Sequence, residues 1–234
     1  MPDARTLVLL TGFGPFPGVP VNATMRLVPE LAAVAAKAFP DVRFVTDILP
    51  TAWQAAPHRL ATLFIDHAPD IALHFGVSKR ARGFEIERRG VNICAGADAA
   101  GEEPVGRAID GHGPDLHQVD LPVGLIVERL RRRGIAAFLS WDAGQYLCNA
   151  LLYQSLALSR AAVSGPRSAF IHIPATLELG HREGIAGAHR RRDASCPLSW
   201  PEAITGGTEI IAACLGRSPN RRPVRPPLKA RARR

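Results

Sequence analysis

The sequence predicts an α/β protein in which strands and helices alternate along the chain. Short runs of Val, Ile, Leu and Phe recur between longer Ala/Leu-rich stretches, a pattern typical of stacked helix and sheet layers. Hydrophobic residues make up 47% of the 234 residues and charged residues 21%. This composition is sufficient for one hydrophobic core of ordinary size, and it excludes a disordered chain.

Six strands and five helices follow from these runs. Proline occurs inside two of the helices, at Pro29 and Pro57, so we expect a bend or a later start in each. The predicted strands are residues 6–11, 42–49, 71–75, 84–94, 135–140 and 169–174. The predicted helices are residues 23–39, 52–67, 121–133, 143–159 and 201–215.

Positive charge is concentrated at the C-terminal end of the chain. The formal net charge is +8, and residues 217–234 contain eight Arg or Lys residues and no acidic residue. We therefore predict one α/β domain over residues 1–216, with balanced charge, and a disordered Pro/Arg-rich tail over residues 217–234. Such a tail would hold phosphates non-specifically. Because the domain carries no nucleic-acid-binding motif, no specific nucleic-acid partner is predicted.

The apolar runs and the cysteines indicate a cytoplasmic protein. No run reaches the roughly 18 residues of a membrane span, and the N-terminal run is shorter than the core of a secretory signal. The four cysteines are widely spaced and form no CxxC pair, which argues against a disulfide scaffold and a zinc ribbon. A membrane partner is not expected, and the sequence leaves a homo-oligomer open.

Two loops interrupt the alternation. Residues 12–21 are rich in Gly and Pro, but their glycine spacing does not fit a nucleotide-binding fingerprint. This loop would hold Phe13 and Phe16 at the top of the sheet, where they either contact a ligand or cap the core. Residues 95–120 are expected to lack regular structure, and their two histidines have no metal-site spacing. Long loops of this kind are often functional.

A cysteine and a histidine lie where α/β proteins place reactive groups. Cys148 is near the predicted start of a helix, with Asp142 as the expected N-cap, and the positive end of a helix favours a nucleophilic thiolate. The alternative is a small buried hydrophobic cysteine. His172 lies near the carboxyl end of a strand that Pro174 closes, where ligand sites of open α/β sheets occur. The alternative is a core histidine with satisfied hydrogen bonds.

A carboxylate would complete this set. Glu85 and Glu87 alternate with Phe84 and Ile86, so both carboxylates lie on one face of the predicted strand. A solvated strand face, paired with the neighbouring arginines, is the alternative. Attack of cysteine on a carbonyl requires a thiolate, a histidine acid/base and a carboxylate that fixes the histidine tautomer.

Four ordered segments, which agree in spacing over about residues 6–215, resemble the pyroglutamyl peptidase I family. These pyrrolidone carboxyl peptidases are cysteine peptidases that remove N-terminal pyroglutamate. The resembling segments are the opening motif at 11–16 (Thr-Gly-Phe-Gly-Pro-Phe) and 22–24 (Asn-Ala-Thr), the acidic segment at 87–92 (Glu-Arg-Arg-Gly-Val-Asn), the nucleophile segment at 142–149 (Asp-Ala-Gly-Gln-Tyr-Leu-Cys-Asn) and the histidine segment at 170–174 (Phe-Ile-His-Ile-Pro).

The resemblance implies a single-domain three-layer α/β/α sandwich, phosphorylase/hydrolase-like, with a mixed and mainly parallel sheet. It implies Cys148 as nucleophile, His172 as acid/base and Glu87 as orienting carboxylate, with a thioester intermediate and no metal or other cofactor. The partners would be peptides with N-terminal pyroglutamate. The flat, uncharged lactam would lie against aromatic and backbone groups. These expected substrate contacts are Phe13, Phe16, Tyr146, Gly76 and Val77.

Some residues depart from the family pattern. Residues 78–83 (Ser-Lys-Arg-Ala-Arg-Gly) are basic where the family is less charged, and Ala97 stands near the place of a family arginine. We therefore hypothesise a preference for acidic or longer N-blocked substrates, motivated by Lys79, Arg80 and Arg82. A homologue that has lost turnover and acts as a binding protein is the alternative function.

Overall fold

The computed structural model describes residues 5–177 and 197–217, and these contain eight strands and five helices. The strands are β1 (Thr6–Phe13), β2 (Val42–Leu49), β3 (Ile71–Ser78), β4 (Phe84–Glu87), β5 (Arg89–Val91), β6 (Leu116–Gln118), β7 (Ala137–Ser140) and β8 (Arg167–Pro174). The helices are α1 (Thr24–Ala38), α2 (Ala55–His67), α3 (Val123–Arg132), α4 (Leu147–Ala161) and α5 (Trp200–Cys214).

Six strands form one mixed sheet in the order β2-β1-β3-β8-β4-β7. Neighbouring strands run parallel, except that β4 is antiparallel to β8. β5 and β6 form a separate antiparallel pair. Because β1, β3 and β8 are parallel, their carboxyl ends meet at one edge of the sheet, where ligand sites of such sheets occur.

Helices cover both faces of this sheet. α1, α3 and α5 pack together on one face, and α2 and α4 pack on the other. In α1, Leu27, Leu31 and Ala35 recur every fourth residue and are fully buried, which is the pattern of an amphipathic helix on a core. The predicted three-layer α/β/α sandwich with a mixed, mainly parallel sheet is confirmed.

The predicted strand over residues 84–94 is wrong in extent. The chain leaves the main sheet at Arg88, so that β4 pairs with β7 and β8 whereas β5 pairs with β6. The loop over residues 95–120, expected to lack regular structure, supplies β6 as this partner. Both halves of the predicted strand are extended, and only their partners differ, so apolar alternation cannot show the break.

The predicted start of the fourth helix is also wrong. α4 begins at Leu147, four residues later than predicted, and Asp142 is not its N-cap. Asp142 instead accepts a hydrogen bond from the Gly144 N–H (2.9 Å), and Gly144 has a φ of 81°. This left-handed turn suits glycine and delays the helix. Cys148 is consequently the second residue of α4.

The predicted basic tail from residue 218 onward, together with Cys196, lies outside the described residues. Pro29 lies inside α1, which continues through it, and Pro57 lies in the first turn of α2, where proline is tolerated. Among the described helices, none is both long and apolar enough to cross a membrane.

Candidate active site

β4 and β8 bring a carboxylate and an imidazole together inside the protein. His172 Nδ1 lies 2.8 Å from Glu87 Oε1. Glu87 is fully buried and His172 is only 6% exposed. The solvated strand face that was the alternative for Glu87 therefore does not occur, and its carboxylate is bonded to the histidine instead.

Cys148 approaches this pair from the helical layer above the sheet. Its Sγ lies 3.1 Å from the position that a Cβ on Gly76 would occupy, and Gly76 in β3 pairs in register with His172 in β8. The Cys148 side chain is near enough to His172 to act on the pKa of the imidazole. A Cβ at Gly76 would also meet the Phe170 ring at 2.7 Å, so the close approach of helix and sheet requires glycine here.

The surroundings of His172 favour its charged form. Burial lowers the pKa of His172, but the interactions with Cys148, followed by those with Glu87, outweigh burial and raise this pKa to about 10. A protonated imidazole beside a cysteine stabilises the thiolate. The arrangement can therefore hold a proton on His172, next to Cys148.

A small apolar pocket lies beside Cys148 and contains about 240 Å³ of space, part of it open to solvent. It brings together all five residues that the sequence predicts to contact the substrate. Asn22, Thr51 and Leu147 complete its lining together with Cys148. Those five predicted residues are Phe13, Phe16, Gly76, Val77 and Tyr146.

The Tyr146 ring is held in place by aromatic neighbours. Its centroid lies 5.9 Å from that of Phe16 and 5.5 Å from that of Trp53, which meets it edge-on. Trp53 Nε1 donates to the Gly96 carbonyl at 2.8 Å, so the long loop of residues 95–120 supports this pocket wall. Sequence patterns gave no signal for the contribution of Trp53.

Comparison with known proteins identifies the family. The pyroglutamyl peptidase family model (Peptidase_C15) matches residues 6–184. The chain belongs to the pyroglutamyl peptidase family. The pyrrolidone-carboxylate peptidase of Pseudomonas fluorescens (strain SBW25) is 35% identical over 170 residues, covering 72% of this chain and 78% of that protein. The Pyrococcus furiosus protein of the same name is 33% identical over 172 residues, covering 71% and 80%.

Solved structures agree with this family. The crystal structure of Bacillus amyloliquefaciens pyroglutamyl peptidase I matches with a TM-score of 0.77 at 27% identity, covering 91% of this chain and 98% of that chain. A mutant pyrrolidone carboxyl peptidase of P. furiosus matches with the same TM-score and identity. The chain is therefore a hydrolase with the pyroglutamyl peptidase fold.

In this member of the pyroglutamyl peptidase family, Asn22 and Thr51 fix the loop after β1. Asn22 Nδ2 and Thr51 Oγ1 both donate to the Gly14 carbonyl, at 3.0 and 3.1 Å. Asn22 Oδ1 accepts from the N–H and the hydroxyl of Thr24, at 3.1 and 2.8 Å. These bonds hold Phe16 over the pocket. Asn22 belongs to a segment that carried the resemblance, whereas Thr51 had no sequence signal.

Asn149 joins the helix that carries Cys148 to the segment after Glu87. Its Oδ1 accepts from the Val91 N–H (2.9 Å), and its Nδ2 donates to the carbonyls of Val91 and Ile93 (2.8 Å each). Asn149 is fully buried. It is a positioning residue that the sequence analysis missed, although its place directly after the cysteine could have indicated it.

A larger groove lies on the other side of His172. It contains about 1220 Å³ of space, part of it open to solvent. Lys79 and Arg80 of the basic segment line it together with Glu85, and the charge of Arg82 acts on the Glu85 carboxyl. The substrate preference inferred from these cations stays a prediction.

Potential metal ligands converge at one point in the described part of the chain. Donor atoms of Glu85, Glu87 and His172 lie within 4.8 Å of one another. His112 and His117, the histidines of the long loop, do not belong to such a group of described residues. Among the described residues, these two carboxylates and this imidazole are therefore the groups that would contact a cation placed between them.

Proposed function

We propose that this chain hydrolyses the peptide bond that follows an N-terminal pyroglutamate. Cys148 acts as the nucleophile, His172 as the general acid and base, and Glu87 as the carboxylate that orients His172. The observation that carries this proposal is the position of His172, which bonds the buried Glu87 carboxylate and lies near Cys148 beside a small apolar pocket.

The pocket suits the pyroglutamyl ring. A five-membered lactam is flat, compact and uncharged, so aromatic walls and a few backbone hydrogen bonds are enough to bind it. Phe13, Phe16 and Tyr146 supply such walls, and Gly76 exposes backbone next to the sulfur. With the ring seated there, the carbonyl carbon that follows it would lie over Cys148 Sγ.

Acylation follows from this placement. The Cys148 thiolate attacks the carbonyl carbon, and a C–S bond forms while the carbonyl electrons move onto oxygen. The first N–H groups of α4 have no intrahelical partner, and Tyr146 at the N-cap makes no side-chain cap bond, so these N–H groups can bind the oxyanion. The C–N bond then breaks, and His172 donates its proton to the departing nitrogen.

Deacylation uses the same residues in reverse. The neutral His172 takes a proton from water, whose oxygen attacks the thioester carbon. The C–S bond breaks, pyroglutamate leaves, and the Cys148 thiolate is restored beside the His172 imidazolium. Glu87 keeps the Nδ1–H of His172 directed at its own carboxylate, which leaves Nε2 for sulfur, leaving nitrogen and water.

A chromogenic pyroglutamyl amide tests this proposal. The wild type should hydrolyse it, and Cys148→Ala should abolish hydrolysis while the protein stays folded. Cys214→Ala is the matched control, because this thiol is buried in α5 and burial raises its pKa to about 12. Hydrolysis that survives in Cys148→Ala would exclude Cys148 as the nucleophile.

Two alternatives make different predictions in the same assay. A homologue that only binds its ligand would show alkylation of Cys148 by iodoacetamide, mapped by mass spectrometry, without hydrolysis. A hydrolase for another N-blocked substrate would cleave amides of other blocked residues faster than pyroglutamyl amides. The cationic groove residues Lys79 and Arg80 are the observation that favours this second alternative.

A further inference from the structure

The two cavities meet at the end of β3 and place the two halves of a substrate. Gly76 and Val77 line the apolar pocket with Cys148, and the next residue, Ser78, lines the groove with His172. In the proposed function, on which this inference rests, the sulfur bonds the acyl half and the imidazole protonates the departing nitrogen. The departing peptide must therefore begin beside His172 and extend into the groove.

Glu85 lies where that nitrogen emerges. It stands directly opposite His172 in the antiparallel pairing of β4 and β8, and it lines the groove. Its carboxylate lies within 4.8 Å of donor atoms of both His172 and Glu87.

The two glutamates of β4 differ in their partners. Glu87 is fully buried and bonded to His172, whereas Glu85 is half-buried and, among the described residues, has no hydrogen-bond or ion-pair partner. Burial raises the pKa of Glu85, the charge of His172 lowers it, Glu87 raises it and Arg82 lowers it. A half-buried carboxylate without a partner is costly, so it favours a cationic or N–H ligand.

The departing nitrogen has this chemistry. It is an uncharged amide in the substrate, and it gains a proton from His172 when the C–N bond breaks and its electron pair stays on nitrogen. A second proton from solvent then makes it the α-ammonium of the shortened peptide. We propose that Glu85 binds this departing amine, first as a hydrogen-bond acceptor for its N–H and then as the counter-ion of the α-ammonium group.

Two substrates that share the pyroglutamyl half but differ in leaving group test the proposal. Pyroglutamyl-Ala-Ala releases an aliphatic amine that becomes charged, and a pyroglutamyl anilide releases an aryl amine that stays neutral. Because charge-assisted hydrogen bonds are the strong ones, Glu85→Gln should lower kcat/KM for the peptide about 10- to 100-fold. The same variant should change kcat/KM for the anilide much less.

Asp142→Asn is the matched control. Asp142 is a second carboxylate in this groove, but its Oδ1 already accepts from the Gly144 N–H, which an asparagine side chain preserves. It should affect both substrates equally. Glu85→Asp should restore part of the peptide activity that Glu85→Gln loses.

Product inhibition of the wild type gives a measurement that does not depend on any variant. Free Ala-Ala should inhibit more strongly than N-acetyl-Ala-Ala at pH 7, because only the former carries an α-ammonium group. Equal inhibition by the two, or an equal loss of both activities in Glu85→Gln, would overturn the role of Glu85 and leave the proposed function standing. A wild type that cleaves neither substrate would overturn both.

Discussion

Two enclosed histidines on neighbouring strands of this protein have pKa values shifted in opposite directions. Both ring nitrogens of His74 in β3 bond hydroxyl groups, with Nδ1 2.8 Å from Thr11 Oγ1 and Nε2 2.9 Å from Ser155 Oγ. Burial is then decisive, and it lowers the pKa of His74 to about 3. His172 in β8 is nearly as buried, but it bonds a carboxylate and lies near the Cys148 sulfur, and its pKa is raised.

The comparison shows that burial alone does not set the charge of a histidine. Hydroxyl partners can donate to or accept from a neutral ring, so both ring nitrogens of His74 have hydrogen-bond partners inside the core. These bonds join β1, β3 and α4. A carboxylate partner compensates the loss of solvent around an imidazolium, so His172 can hold a proton although it is nearly buried. The first arrangement serves stability, and the second suits proton transfer.

Replacing each histidine by glutamine gives the largest expected difference. His172→Gln should lower kcat/KM for a pyroglutamyl anilide by at least about 10³-fold, because it removes the general acid and base. His74→Gln should keep kcat/KM close to the wild-type value and lower the free energy of unfolding by about 1–3 kcal/mol through its broken hydrogen bonds. Steady-state kinetics and urea unfolding measure the two effects. Equal losses of activity would contradict the assigned roles.

Removing the charge of Glu87 should make His172 more like His74. Glu87→Gln should lower kcat/KM by about 10²- to 10⁴-fold. It should also lower the pKa of His172. Activity that depends on the imidazolium is lost as pH rises, and in the variant this loss should occur at a lower pH than in the wild type. A pH profile of kcat/KM measures this shift.

Glu128→Gln is the control for this profile. Glu128 is an exposed carboxylate that pairs with Arg132 on α3. Such surface ion pairs contribute little to the free energy of unfolding. If kcat/KM of Glu87→Gln fell at the same alkaline pH as that of the wild type, the carboxylate would not hold the proton on His172.

The depressed pKa of His74 predicts a dependence of stability on pH. The unfolded chain binds a proton at His74 below its ordinary pKa of 6.5, while the folded protein does so only near 3. Stability is therefore lost as pH falls below 6.5, by up to about 1.4 kcal/mol per pH unit from this group. Urea unfolding between about pH 5 and 7 gives the free energy of unfolding at each pH. This free energy should fall less steeply with decreasing pH in His74→Gln than in the wild type. If the free energy of unfolding changed equally with pH in the wild type and the variant, His74 would not be a buried histidine that stays neutral.

The smallest expected effect concerns the exposed cations of the groove. The wild type should cleave pyroglutamyl peptides with an acidic second residue faster than those with a basic one. Replacing both Lys79 and Arg80 by glutamine should reduce this preference by about two- to fivefold, since solvent-exposed charges interact weakly. Competition between two such peptides measures the ratio. Equal cleavage by the wild type would remove the preference.

Much of the fold could be predicted because short apolar runs alternate regularly with longer Ala/Leu-rich stretches. β2 has the predicted bounds, β1, β3 and β4 begin at the predicted residues, and β7 and β8 end at the predicted residues. The division between β4 and β5, and the late start of α4, could not be predicted. The first depends on which distant strand each half pairs with, and the second on a turn whose left-handed glycine is one of several in the chain.

The reactive residues of the candidate site were predicted from motifs, but the residues that hold them in position were not predicted. Cys148, His172 and Glu87 stood in recognisable segments, and the structure brings them together. Trp53, Thr51 and Asn149 act through hydrogen bonds or ring contacts with residues distant in sequence. Such contacts leave no periodic pattern, so only the folded chain reveals them.

The charge state of His172 is the central claim, and nitrogen NMR of labelled histidine tests it directly. Spectra of the wild type, assigned with His172→Gln and His74→Gln, report protonation of each ring. At about pH 8 both ring nitrogens of His172 should carry protons, while His74 should still be neutral at about pH 5. A neutral His172 at about pH 8 would contradict the account, because no proton would then be stored beside Cys148.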